Sequence, residues 1–213
     1  MKTEDLITML SQDAAPTTGA GLTRRTLLGL GGGLIVAAAL FLTVLGPRAA
    51  LGAAMSDPVT LAKTLIPLAL AALALPLALR TARPGAAPGP MAHALWAPPV
   101  LAALLWLWDW TATAPGWRMI AFTGHSIHVC LPAITLLSLP ILAGLTAALR
   151  HGAPEHPVRT GAFAGLTAAG LATSIYSTVC TEDSPLFYAA WYGLGIAIAT
   201  GLGALVGHRW LRW

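Results

Sequence analysis

Charged residues are scarce in this chain: of its 213 residues only 9% are Asp, Glu, Lys or Arg, whereas 56% are hydrophobic. A water-soluble domain carries about 25% charged residues. The polar surface is therefore too small to cover a globule in water, which excludes an ordinary soluble protein. The net charge of +4 comes from scattered arginines. That pattern excludes a basic patch for nucleic acid.

Motifs of catalysis and nucleotide binding are also missing. No serine lies in a nucleophile elbow or in the order of a triad, and no glycine-rich phosphate loop occurs. The segments between apolar runs are too short to hold a soluble catalytic domain. We therefore expect a protein that is not an enzyme and has no cofactor, apart from a possible divalent metal ion at the cysteines described below.

Long apolar runs are what the sequence has instead. A helix of about 20 such residues crosses a hydrocarbon core of about 30 Å. Pro98 and Pro99 interrupt one of the runs that are long enough. The sequence predicts an all-α polytopic membrane protein, a bundle of six transmembrane helices at Thr26–Leu45, Val59–Leu79, His93–Trp110, Val129–Leu149, Gly161–Val179 and Leu186–Val206.

The distribution of Lys and Arg predicts the orientation, because these residues favour the cytoplasmic side. An even number of spans places both termini on one side of the membrane. With the termini inside, nine positive residues are cytoplasmic and three are external. We therefore predict a bundle in the lipid bilayer with its N- and C-termini in the cytoplasm.

The chain divides into a cytoplasmic segment, residues 1–25, and a transmembrane domain, residues 26–213. In the first, Thr3–Ser11 has the pattern of a short helix, with Leu6, Ile7 and Leu10 on one face. So short a helix is marginally stable alone. It folds against a partner, lies on the membrane or is disordered, and the pattern alone leaves these alternatives open.

The two cysteines occupy corresponding places in the predicted topology. Cys130 lies near the start of the fourth span and Cys180 near the end of the fifth, both at the outer face. The short loop between these spans makes them neighbours, which permits a disulfide. A metal-responsive thiol site and two inert thiols are the alternatives.

Other ligand-type residues flank both cysteines. His125 and His128 precede Cys130, whereas Glu182 and Asp183 follow Cys180. Imidazole and thiolate groups together suit zinc and other soft divalent metals. These four residues are therefore candidate metal ligands.

Two further features concern the interior of the bundle. Lys63 and Asp109 lie in or beside apolar runs, where ionisable residues are costly and usually paired, so we predict an intramembrane Lys63–Asp109 pair. Small residues spaced four apart allow helices to approach closely. We expect packing within the bundle, rather than dimerisation, at Gly29/Gly33, Gly161/Gly165 and Gly203/Gly207.

Six segments carry a resemblance to a known family: Met1–Leu10, Arg24–Arg25, Leu149–Pro154, Cys180–Pro185, Ala190–Tyr192 and Gly207–Trp213. In this order along the chain they resemble the NrsF-type negative regulators of sigma factors. The resemblance implies a six-helix anti-sigma factor of the bacterial inner membrane that holds an extracytoplasmic-function sigma factor through its N-terminal segment. It implies sigma contacts at Asp5, Leu6, Ile7 and Leu10, and sensing of metal or oxidative stress by Cys130 and Cys180.

Two other functions stay open from the residues alone. A small transporter of metal or solute would use Lys63, Asp109 and the outer His and Cys residues as its path. A membrane thiol oxidoreductase would use the cysteines, although such enzymes usually need a second cysteine pair and this chain has two cysteines in all.

Overall fold

Helices form most of the computed structural model, which describes residues 3–5 and 19–212. A 3-10 helix, Pro90–Trp96, leads into α4. No strand occurs in the described ranges, so the predicted all-α class is confirmed. The helices are α1 (Gly19–Val44), α2 (Leu51–Ala54), α3 (Pro58–Thr81), α4 (Ala97–Ala112), α5 (Pro115–Thr123), α6 (Ile127–Leu149), α7 (Pro157–Tyr176) and α8 (Pro185–Trp210).

Most of the long helices have the length and composition of membrane spans. Within the described residues five stretches qualify: Gly21–Val44, Pro58–Thr81, Pro90–Ala112, Pro115–Leu149 and Pro185–Trp210. Large apolar side chains on them are exposed, among them Ile35 (72%) and Leu104 (57%). Such surfaces suit lipid rather than water. The chain is thus a helical membrane protein.

The fifth predicted window coincides with α7, which is less apolar and does not qualify by composition. Its surroundings explain the difference. α7 packs against α3, α6 and α8, and most of its residues are buried. A helix enclosed by other helices needs small side chains for close approach rather than large ones for lipid. Ala, Gly, Thr and Ser supply that surface in α7.

Prolines and capping residues define where helices begin. Pro58 and Pro185 occupy first turns, preceded by the caps Asp57 and Ser184. The Thr60 amide donates to the Asp57 carboxylate at 2.7 Å and lowers the pKa of that group. Pro98 and Pro99, expected to interrupt the third span, lie in the first turn of α4, where proline is tolerated.

Glycine pairs bring two sets of helices into backbone contact. A β-carbon at Gly29 of α1 would clash with the carbonyl oxygen of Gly144 in α6. A β-carbon at Gly203 of α8 would clash with the carbonyl oxygen of Gly161 in α7. The predicted role of these spacings in packing within the bundle is confirmed.

The centre of the bundle consists of α6, α7 and α8. α1 packs on α6, α3 on α7 and α4 on α8. Ile134, Ile141 and Leu145 of α6 are fully buried in the core. α4 is peripheral, since Pro98 is its one buried residue. Because α4 packs against the bundle over little of its surface, a cavity lies beside it.

The predicted N-terminal helix is described only in part. Thr3, Glu4 and Asp5 are helical and exposed. Leu6, Ile7 and Leu10 lie outside the described residues. Arg24 and Arg25 belong to α1, which spans Gly19–Val44.

Candidate sensor site

Residues Cys180–Ser184 are the second part of the connection between α7 and α8, and they contact several other helices at one end of the bundle. We call them the 180–184 loop. Its contacts come from segments far apart in sequence. They include Arg48 after α1, Lys63 in α3, Asp109 in α4 and His125 before α6. The loop therefore links the ends of four other helices to the end of α7 and the start of α8.

Lys63 of α3 binds the 180–184 loop through its buried ammonium group. Its side chain is fully buried, and its Nζ donates to the Cys180 carbonyl oxygen at 2.8 Å and to the Asp183 carboxylate. A buried ammonium group is tolerated only with such partners, because its desolvation is costly. Lys63 thus fixes both ends of the short stretch from Cys180 to Asp183.

Arg48 binds the same two acceptors from the end of α1. Its Nη1 lies 3.1 Å from the Cys180 carbonyl oxygen and 3.0 Å from the Asp183 carboxylate. Its backbone amide also donates to the Thr178 carbonyl at 3.1 Å. The Cys180 carbonyl and the Asp183 carboxylate are consequently shared by α1 and α3.

The structure pairs Lys63 with Asp183 and not with Asp109, which corrects the predicted pair. The Asp109 carboxylate instead accepts from Ser184 Oγ at 2.6 Å and from the Leu186 amide at 3.2 Å. The arrangement of helices is the reason. α3 packs along α7 and reaches the 180–184 loop directly, whereas α4 packs on α8 and reaches its first turn.

Glu182 ties the loop to the start of α6. One carboxylate oxygen, Oε1, accepts from the His125 amide at 2.8 Å and from Ser126 Oγ at 3.4 Å. The His125 imidazole lies 3.6 Å from the same oxygen and is 90% exposed. The link is mainly a backbone one, and it holds the turn that precedes Cys130.

The candidate metal ligands are brought together only in part. His125 and Glu182 are neighbours. Asp183 instead forms ion pairs with the side chains of Arg48 and Lys63, and His128 is exposed. Among residues 3–5 and 19–212, no three His, Cys, Asp or Glu side chains converge on a point where a metal ion could bind. The set of four predicted from sequence is therefore not a preformed site.

Cys130 and Cys180 are free thiols in one apolar cluster, with 0% and 4% exposure. They lie close enough to interact with each other and with the Tyr176 hydroxyl. Tyr192 packs edge-on against Tyr176, with ring centroids 5.9 Å apart. The structure thus places both cysteines in one cluster that is shielded from water, with Cys180 as the first residue of the 180–184 loop.

Sequence reasoning missed three members of this site. Arg48 is one of the three positive residues that the sequence places outside, and no pattern in the sequence assigns a role to Ser184 or Tyr176. Arg48 and Ser184 could have been found from the sequence, because both are polar residues next to predicted helix ends on the same side of the membrane as the two cysteines. Tyr176 gave no signal, because an aromatic residue in an apolar run is ordinarily packing.

Comparison with protein families identifies the family of this chain. The model of the family described as "Negative regulator of sigma F" matches residues 10–213. The chain belongs to the NrsF family. The match includes both cysteines, the 180–184 loop and helices α1 to α8, and it begins after Asp5, Leu6 and Ile7.

Two NrsF relatives match over their full lengths. A probable anti-sigma-F factor NrsF of Azospira oryzae is 34% identical over 219 residues, covering 100% of each chain. The anti-sigma-F factor NrsF of Caulobacter vibrioides is 33% identical over 230 residues, again covering 100% of each chain. Both names describe regulators rather than enzymes. No solved structure shows a significant match.

Proposed function

We propose that this chain is a transmembrane anti-sigma factor that holds an extracytoplasmic-function sigma factor at the bacterial inner membrane and releases it under metal or oxidative stress. Membership of the NrsF family, with full-length relatives named anti-sigma-F factors, is the observation that carries the regulatory role. The geometry of the 180–184 loop supports the finer mechanism.

The topology proposed for this role is six crossings with cytoplasmic termini. The end of α1, the start of α3, the end of α4, the start of α6 and the end of α7 all reach the 180–184 loop. At the other end, the Ala153 amide donates to the Ala82 carbonyl and Thr160 donates to Thr81. Alternation of helix ends between two poles is what six antiparallel crossings require, with α7 as the enclosed fifth.

In the resting state the N-terminal segment is the part that binds the sigma factor. Leu6, Ile7 and Leu10 would insert into an apolar groove of the sigma factor, with Asp5 at the edge of the contact, in the helix-in-groove mode. The contact would sequester the sigma factor from RNA polymerase. Helix α1 connects this segment to the bundle.

Cys130 and Cys180 are the groups on which stress would act. An oxidant that takes two electrons, together with the two thiol protons, would join the sulfurs in a disulfide. A soft divalent cation would instead bind both thiolates and displace the two protons. Either product changes the packing of a core in which both sulfurs are enclosed, and such cores tolerate little change in volume.

Two contacts would carry that change to α1. Arg48, just after α1, donates to the carbonyl of Cys180 itself. Gly29 of α1 touches Gly144 of α6, the helix that bears Cys130. Nearly complete release of the sigma factor requires about 5 kcal/mol of differential binding between the two states.

The docking step is tested by co-purification of the membrane-embedded protein with the sigma factor encoded beside its gene. Leu6→Asp with Leu10→Asp should abolish retention, because two charges would enter the apolar contact. The matched control is Thr8→Asp with Gln12→Asp, which adds the same charges at the same spacing off the apolar face and should retain the sigma factor. Equal retention by both double variants would refute N-terminal docking.

The sensing step is tested on the same complex, immobilised through the NrsF chain. Diamide, or cadmium ion in a separate run, should elute the sigma factor from the wild type. The Cys130→Ser/Cys180→Ser variant should keep it bound, with an unchanged amount bound at the start. Elution from the double variant at the wild-type rate would remove the cysteines from the mechanism.

A further inference from the structure

Three tyrosines share the buried core that contains the two cysteines. Tyr176, Tyr188 and Tyr192 belong to the same cluster as Cys130 and Cys180, and all five residues are buried. The ring of Tyr192 packs against both other rings, with centroids 5.9 Å from Tyr176 and 6.2 Å from Tyr188. A phenylalanine would fill nearly the same volume, so each buried hydroxyl in this cluster calls for a polar partner.

The hydroxyls of two of these tyrosines contact the cysteine sulfurs. The Tyr176 hydroxyl lies within hydrogen-bonding distance of both thiols. The Tyr192 hydroxyl lies against the Cys180 thiol, and it has no oxygen or nitrogen partner among the described residues. Cysteine sulfur is thus the polar atom that both phenols contact.

The third tyrosine has an ordinary partner instead. The Tyr188 hydroxyl donates to the Val59 carbonyl at 3.2 Å. Phe187, the residue before it, is fully buried in the same core, which shows that this core also accommodates a ring without a hydroxyl. Tyr188 therefore provides an internal reference, since it is the same residue type in the same cluster but binds a carbonyl oxygen rather than sulfur.

The strength of a hydrogen bond to sulfur depends on the chemical state of the sulfur. The sulfur of a neutral thiol is a weak acceptor. A metal-bound thiolate carries negative charge, and charge-assisted hydrogen bonds are roughly twice as strong as neutral ones. A disulfide sulfur has neither charge nor proton, so a phenol enclosed beside it would lose most of its hydrogen bonding, at a cost to stability. The two phenols therefore favour thiolates over a disulfide.

We propose that Tyr176 and Tyr192 are positioning residues of the cysteine pair, which favour capture of a soft divalent metal ion by both thiolates and disfavour the disulfide. The inference rests on the proposed sensor role of the cysteines and selects one of its two signals. The metal ion would displace the two thiol protons. Two thiolates and a divalent cation are together neutral, which suits an apolar cluster. Hydrogen bonds to metal ligands orient them and strengthen metal binding.

Metal capture is measured on reduced full-length protein in nanodiscs, with cadmium ion as the probe. The ultraviolet absorbance of the thiolate–cadmium bond reports the complex itself, and titration against a competing chelator gives the affinity. Tyr176→Phe should weaken binding about tenfold to a hundredfold, the usual effect of removing a group that hydrogen-bonds a metal ligand. Tyr192→Phe should weaken it less, because Tyr192 contacts one thiol. The Cys130→Ser/Cys180→Ser variant should not develop the absorbance.

The disulfide is measured in dithiothreitol redox buffers without metal. The cyclic disulfide of the buffer takes two electrons and two protons from the thiol pair, and the two sulfurs join. After acid quenching and denaturation, a maleimide of high mass separates reduced from oxidised chains on a gel. At a fixed buffer composition Tyr176→Phe should raise the ratio of oxidised to reduced protein severalfold, opposite in sign to its effect on cadmium. A substitution that merely loosened the cluster would disfavour both products.

The matched control is Tyr188→Phe, the same chemical change in the same cluster at the hydroxyl that binds the Val59 carbonyl. It should leave both measurements at the wild-type values. Should Tyr176→Phe not elute as folded protein on size exclusion, Tyr192→Phe decides.

Three results would overturn the proposal. They are a wild type that does not bind cadmium, a cadmium affinity of the Tyr176→Phe variant equal to that of Tyr188→Phe, and a fall in both cadmium affinity and disulfide ratio in Tyr176→Phe. Neither measurement involves the sigma factor. Failure of sigma docking or release would therefore leave this result unchanged, and failure here would leave docking and repression unchanged.

Discussion

At the scale of single residues, the Lys63–Asp183 ion pair explains how a lysine is tolerated in an apolar helix. Lys63 is 1% exposed, whereas Asp183 is partly exposed and also bound by Arg48. The sequence predicted that Lys63 would have a carboxylate partner, because an unpaired charge there is too costly. It did not predict which one, since the choice between Asp109 and Asp183 depends on which helices are neighbours.

Replacing Asp183 should therefore destabilise the protein. We expect Asp183→Asn to lower the free energy of unfolding by about 2 kcal/mol, less than for a fully buried pair because Asp183 is partly exposed and the Cys180 carbonyl still accepts from Lys63. Thermal unfolding in detergent measures the change. Glu155→Gln, at an exposed carboxylate that accepts from the Gly85 amide, is the control and should cost much less.

A double variant tests whether the loss of stability comes from leaving the buried charge of Lys63 without its partner. Adding Lys63→Met to Asp183→Asn removes the buried cation and should recover part of the lost stability. If the double variant is less stable than Asp183→Asn alone, the ion pair is not the cause of the loss.

At the scale of helices, close glycine contacts and one arginine link decide how the elements hold together. Span positions followed from apolar runs, and five of the six predicted windows coincide with stretches that qualify by length and composition. The exception, α7, shows what apolar runs do not reveal. An enclosed helix is selected for small side chains, and its place in the centre depends on partners that the sequence does not identify.

The α7–α8 contact provides the first prediction at this scale. Gly203→Ala places a methyl group against the Gly161 backbone, and we expect a loss of about 1–3 kcal/mol in unfolding free energy. Gly201→Ala, on the same helix with open space around it, should be neutral or slightly stabilising. Chemical unfolding in detergent compares the two, and equal effects would contradict the close contact.

The hydrogen bond from Arg48 to the Cys180 carbonyl provides the second prediction at the scale of helices. If it carries the change at the cysteines to α1, Arg48→Gln should retain the sigma factor at rest but release severalfold less after diamide. Arg118→Gln is the control, because Arg118 lies in α5 and donates to the Thr113 carbonyl away from the 180–184 loop. Normal release from Arg48→Gln would exclude this route and leave the α1–α6 glycine contact.

At the scale of the whole molecule, the cysteines and the N-terminal segment lie at opposite ends of the bundle in the proposed orientation. The sequence could predict this separation because it depends on counting spans and positive charges. It could not predict the 180–184 loop as the point where helix ends converge, since that requires the three-dimensional arrangement. The proposed regulator receives its signal at one end and binds its target at the other.

The orientation is tested with single reporter cysteines in a Cys130→Ser/Cys180→Ser background. A cysteine at exposed His125 should react with a membrane-impermeant maleimide added to intact spheroplasts, and one at exposed Arg83 should react only after lysis. The reverse pattern would invert the proposed topology. Labelling at neither site before lysis would count against the external position of the loop.

Repression of transcription tests the central claim most directly. RNA polymerase with the sigma factor encoded beside this gene would be assayed on a promoter of that sigma factor, with full-length NrsF chain in nanodiscs added in increasing amounts. We predict that transcripts fall to background near equal amounts of the two proteins, while transcription driven by the housekeeping sigma factor is unchanged. Undiminished sigma-dependent transcription in the presence of excess folded protein would contradict the account.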